Sequence, residues 1–137
     1  MTEYRVAITG APNTGKTTLA DALHIKTSFR VIHTDEHIED EWSVQSQKVV
    51  AQMEDAGPWI VEGCTVPRAI RKWGNVERLP CTHLFYMTTP RQELTKRQLA
   101  HAKGIERMMN GIVRVLQDRG VCVLVQPTLE ECVVALQ

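Results

Sequence analysis

Residues Gly10-Ala11-Pro12-Asn13-Thr14-Gly15-Lys16-Thr17-Thr18 fit the pattern G-x-x-x-x-G-K-[ST], between a β-prone run and a helical one. This pattern dictates a local shape. Its glycines let the backbone curl until consecutive N–H groups face one concavity, and the following helix adds the positive end of its dipole. Such a concavity suits phosphate oxygens. Lys16 is placed to reach the distal phosphates of a ligand, and Thr17 to offer a hydroxyl oxygen to Mg²⁺. Gly10, Asn13, Thr14, Gly15, Lys16, Thr17 and Thr18 are therefore the candidate phosphate-binding residues. A strand feeding a helix through this loop is also the first half of a βαβ unit, which limits the topologies open to the chain.

The remaining residues keep that alternation. Strands are expected at Tyr4–Thr9, Phe29–His33, Trp59–Glu62, His83–Met87 and Val121–Val125. Helices are expected at Lys16–Lys26, Ile38–Asp55, Pro67–Trp73, Pro90–Lys103, Ile105–Arg119 and Leu129–Leu136, with Gly104 separating the fourth from the fifth. The strands lack strict polar–apolar alternation, so a parallel sheet buried on both faces is implied, an α/β fold. In such sheets ligands sit beyond the carboxyl ends of the strands. The residues to inspect are then Gly10–Thr18, Thr34–His37, Gly63–Arg68, Thr88–Arg91 and Gln126–Thr128.

At 137 residues the chain has the size of one domain. With 43% apolar and 23% charged residues, disorder and fibrous repeats are excluded. No apolar run approaches the roughly 18 residues of a membrane span. The N-terminal stretch lacks the pattern of a secretory signal, so a cytoplasmic location is expected. Cys64, Cys81, Cys122 and Cys132 show no CxxC spacing, and reduced thiols are expected rather than zinc or disulfides.

The loop motif resembles the Walker A sequence of the P-loop NTPase superfamily, which implies ATP and Mg²⁺. Three branches compete. The DxxG and NKxD motifs of GTPase switches do not occur. Val31–Glu36 imitates the acidic strand of motor ATPases, but Asp35 lies only 18 residues after Thr17, which makes this the second strand in sequence. The stretch FRVIHTDEHI resembles the corresponding part of polynucleotide-kinase-like and shikimate-kinase-like enzymes. That resemblance implies a single P-loop kinase domain over residues 1–137, with a five-stranded parallel sheet in the order 2-3-1-4-5. It implies Asp35 as the base that takes the acceptor's proton, with His37 close enough to contact substrate; an N-cap role for Asp35 is compatible. In WIVEG, Glu62 is implied at the metal, through a bound water, or at a substrate hydroxyl, and Gly63 leaves room for the ligand. Arg68 is implied in acceptor binding, with a solvated basic face shared with Arg71 and Lys72 as the alternative. The segment 91–106 resembles a short kinase lid in which Arg97 closes on the transferring group, Arg91 and Lys96 being alternatives. Pro127 is implied against the adenine.

The net charge is zero, yet it is unevenly distributed. From Arg68 to Arg119 eleven bases face four acids, a balance of +7, and the remainder carries −7. A polyanionic partner is therefore not excluded, and its binding would be salt-dependent. The first acceptor expected is the hydroxymethyl group of 5-hydroxymethyluracil in DNA, by resemblance to small phage kinases with that substrate. The alternative is a free nucleoside, nucleotide or small metabolite. A third reading is a non-catalytic nucleotide-binding module.

Overall fold

Val6 and Ile8 project to one side of the first strand and Ala7 to the other, and all three are fully buried. A strand covered on both sides needs two layers of helices, and the computed structural model, which describes residues 3–34 and 42–137, supplies them. The elements are β1 (Arg5–Gly10), α1 (Lys16–Thr27), β2 (Arg30–His33), α2 (Trp42–Met53), β3 (Trp59–Glu62), α3 (Val66–Lys72), β4 (His83–Met87), α4 (Lys96–Asp118), β5 (Cys122–Val125) and α5 (Leu129–Ala135). The five strands form one parallel sheet in the order β2-β3-β1-β4-β5, the α/β order expected from the sequence.

Side-chain alternation along these short strands separates two cores. Val6, Ile8, Ile60 and Phe85 pack with Leu19, Ala20 and Leu23 of α1 and Cys132 of α5. Ala7, Trp59, Val61 and Leu84 pack with Val49 and Met53 of α2, Ala69 and Ile70 of α3, and Ile105, Met109, Ile112 and Leu116 of α4. The helices carrying most of the basic segment, α3 and α4, thus cover the same face of the sheet.

Two expectations about the fourth helix are corrected. It does not break at Gly104: α4 runs unbroken for 23 residues. Glycine costs about 1 kcal/mol in a helix interior. The stripe Ile105, Met109, Ile112 and Leu116, spaced by three or four residues and buried throughout, outweighs that. Nor does it begin at Pro90. Thr95 is the N-cap: its hydroxyl accepts from Gln98 N, and the Gln98 side chain accepts from Thr95 N, a complete capping box. Residues 90–95 are irregular. The start of α2 expected at Ile38 lies outside the described residues.

All four cysteines are free thiols. Burial pushes the thiols of Cys81 and Cys132 up to about 12, so both are poor nucleophiles. Among the described residues, no helix is long and apolar enough to cross a membrane.

His83 begins β4 with its ring wedged between Tyr4 and Phe85. Its Nε2–H donates to Ala135 O at 3.0 Å, tying the sheet to α5. Burial holds this imidazole below its ordinary value of 6.5. As pH falls below that value, the unfolded chain takes up a proton that the folded chain resists. Stability is therefore full above about 6.5 and declines as pH drops toward the depressed folded value. Thermal unfolding followed between pH 7.5 and 5.5 should show a falling midpoint, and His83→Gln should flatten that slope; an unchanged slope would rule His83 out as the source.

Candidate active site

Between β1 and α1 the chain turns through two left-handed residues, Asn13 at φ 59° and Gly15 at φ 85°. Alternating hand along a loop is what gathers successive N–H groups into an anion-binding nest. Thr14 Oγ1 donates to Ala11 O at 2.8 Å and Lys16 Nζ donates to the same carbonyl at 2.7 Å, so the ammonium lies over the loop. Gly15 is the N-cap of α1 and no side chain caps that end, which leaves its first N–H groups to other acceptors. The need for glycine at 15 is conformational, set by its positive φ. A Cβ there would lie 2.7 Å from Cζ of Arg91, whose guanidinium covers the loop. Arg91 N also donates to Asn13 O at 2.7 Å.

Beneath the loop lies Glu62, the last residue of β3 and only 1% exposed. Because β3 is hydrogen-bonded beside β1, Glu62 stands level with Ile8 and, on its other side, with His33. Thr17 Oγ1 donates to Glu62 Oε1 at 3.2 Å, and His33 Nδ1 lies 2.7 Å from the same oxygen. His33 Nε2 faces Asp21 Oδ1 at 3.9 Å. The second oxygen, Oε2, takes no hydrogen bond among the described residues. A hydroxyl and a carboxylate side by side form a hard oxygen set that suits Mg²⁺, an ion that keeps several waters and ligand phosphates in its shell. Among the described residues no cluster of three or more His, Cys, Asp or Glu forms an all-protein metal site. Thr17 and Glu62, with the Lys16 ammonium on the adjoining loop, thus fit a phosphate-bound Mg²⁺.

A cleft of about 680 Å³ opens beside the loop. Thr14, Gly15 and Thr18 form one wall, Arg91 and Thr89 another, and Gln126, Pro127 and Leu129 the third. Pro127 is buried there. Its shape and mostly apolar lining suit a flat heterocycle attached to phosphates held by the loop.

The other expected residues fall in different places. Gly10 ends β1 in register with Met87. Asp35 and His37 lie outside the described residues. Arg97 is exposed in the first turn of α4, and no hydrogen bond or ion pair joins it to the loop among the described residues; Arg91 is the arginine that meets the loop. Arg68 is exposed near the start of α3 and lines a shallow recess of about 270 Å³ with Arg71 and Lys72. Gly63 does not leave its space to a ligand: a Cβ there would lie 1.8 Å from Thr34 Oγ1, so the room belongs to Thr34. That hydroxyl is buried without a hydrogen-bond partner among the described residues.

Two further residues stand near the site that the sequence did not single out. His33 pairs with Glu62 across strands, a contact visible only once the register of β2 against β3 is known. Gln126, in the expected stretch Gln126–Thr128 after the fifth strand, stands at the cleft. His101, half-buried on α4, is held below its ordinary value by burial and then by the positive charges of Lys16 and Arg68. Its neutral ring therefore stands within the field of both the loop and α3.

No protein-family model matches the chain, and no curated protein matches it by sequence. Among solved structures, a shikimate kinase from Acinetobacter baumannii in complex with shikimate is similar. The TM-score is 0.54 at 12% identity, over 93% of this chain and 84% of that one. The fold is that of the small P-loop kinases.

Glu62→Gln should weaken Mg²⁺-dependent ADP binding by about 10–100-fold, the usual cost of losing a metal-site carboxylate or its partner. Binding in EDTA should change little. An unaltered Mg²⁺ dependence in calorimetric titrations would remove Glu62 from the metal site.

Proposed function

We propose that the chain is an ATP-dependent kinase that transfers the γ-phosphoryl group to a hydroxyl of a small molecule. The observation that carries this reading is the Thr17–Glu62 oxygen pair next to a loop that holds the Lys16 ammonium and an uncapped helix start. ATP with Mg²⁺, when bound, supplies the phosphoryl group and neutralises charge around it. Phosphoryl transfer asks little of the protein beyond positioning and electrostatics. Lys16 and the loop N–H groups bind the phosphates. Thr17 and Glu62 hold the metal or its water. Pro127 and Leu129 pack against the base.

Asp35, which follows β2 in sequence, takes the acceptor's hydroxyl proton as general base. Arg68 and Glu62 bind the acceptor, and His37 contacts it. Arg97, carried on the segment 91–106, closes over the transferring group as a short lid on a single domain spanning residues 1–137. A small-molecule acceptor is supported by the similar shikimate kinase structure, whose partner molecule is shikimate. No finding supports the hydroxymethyl group in DNA, which the sequence placed first, so the order of acceptors is reversed.

Radiolabelled γ-phosphate transfer should be measured against small hydroxylated metabolites, free nucleosides, plain DNA and DNA containing 5-hydroxymethyluracil. Label in the small-molecule set is the expected outcome. Label confined to modified DNA would restore the first order, and label in none would leave a nucleotide-binding module. For the productive acceptor, Asp35→Asn should retain ATP affinity and lose at least about 100-fold in kcat, the scale of general-base catalysis; full turnover would exclude Asp35 as the base.

A further inference from the structure

Gln126 is the first residue after β5, and its backbone sits in the left-handed region at φ 50°. Residues other than glycine settle there only when their surroundings hold them. Its own N–H donates to Tyr86 O at 2.7 Å, one rung beyond the β4–β5 ladder. Its side chain turns back across the end of the sheet. Oε1 accepts from Thr88 N at 2.6 Å, from Thr89 N at 3.0 Å and from Thr88 Oγ1 at 3.3 Å. Backbone N–H groups only donate, so the carboxamide has one possible orientation, with its oxygen on Thr88 and Thr89.

Those two threonines are where the chain leaves β4, and through Pro90 they lead to Arg91. Arg91 is fastened at its far end, with its N–H on Asn13 O and its guanidinium over Gly15. Gln126, Thr89, Arg91 and Gly15 all line the same cleft. A continuous set of contacts therefore runs from the turn after β5, through one carboxamide oxygen, to the cation over the phosphate loop.

We propose that Gln126 is a positioning residue: its carboxamide oxygen pins the exit of β4 so that Arg91 stands over the phosphate loop, coupling the heterocycle end of the cleft to its phosphate end. This rests on the nucleotide-binding reading above. The irregular segment 88–95 has few other anchors. Without Oε1, two N–H groups lose the acceptor they share, and Arg91 keeps only its own bond to Asn13.

The test is ADP binding by calorimetry to the whole chain carrying Gln126→Leu, Arg91→Ala or both, with thermal unfolding as a check on folding. Gln126→Leu keeps the bulk and removes the acceptor, and should weaken ADP about tenfold. In the Arg91→Ala background the same change should cost less than about twofold, because the clamp acts through Arg91. Gln126→Glu keeps an acceptor oxygen and should recover most of the lost affinity. An equal cost with and without Arg91, parental affinity in Gln126→Leu, or a Gln126→Glu that binds as poorly as Gln126→Leu would each overturn the proposal. Should Gln126→Leu fail to fold, Gln126→Asn, too short to reach Thr88, carries the same expectation. Failure of the unsubstituted chain to bind any nucleotide is a different result, and overturns the kinase reading itself.

Discussion

A carboxylate buried at the end of a central strand has to be matched, because leaving it unpaired inside a protein costs several kcal/mol. Glu62 is that group, and much of the site is arranged around it. Thr17 reaches it from the first turn of α1 and His33 from the end of β2. Both depend on strand order. Had β3 not been laid between β2 and β1, neither partner would face it. The arrangement places both protein donors on one oxygen, Oε1. The same sheet order that buries the two cores thus also brings together the loop, the acid and the histidine.

The two helical layers divide the work. α1 and α5 cover one face, and between them and the β4–α4 segment lies the cleft lined by Pro127 and Arg91. The other face carries α2, α3 and α4, and with them most of the positive charge of residues 68–119. His101 on α4 is held below its ordinary value first by burial and then by the charges of Lys16 and Arg68. A chain neutral in total thus gathers most of the bases of residues 68–119 on two helices of one face, an arrangement that favours anionic ligands there.

Strands were legible in the sequence because short apolar runs alternate with helical stretches along it. The phosphate loop was legible because its chemistry is local: every group that matters lies within nine residues. Glu62 stood out in the sequence as the charged residue closing an apolar run, and its neighbours Thr17 and His33 are what the structure adds. His33 did not stand out, since its contact depends on register between strands 29 residues apart. Gly104 misled because a helix breaker was judged by propensity alone, while the buried stripe of α4 decided the matter. Arg97 and Arg91 could not be separated by spacing: which of two nearby arginines meets the loop depends on where the helix starts, and that was set by the Thr95–Gln98 cap.

The unbroken α4 has a mechanical meaning. At 23 residues it is a rod about 35 Å long, and from Ile105 onward its inner side is embedded in the core. Its first turns therefore cannot swing about Gly104 as a flap on a pivot. Movement of Arg97 toward a bound ligand must bend the rod, tilt it whole, or shorten it by fraying the turns nearest Thr95. The irregular segment 88–95 that precedes the rod is a joint held at Thr88 and Thr89 by a glutamine and at Arg91 by the loop it serves.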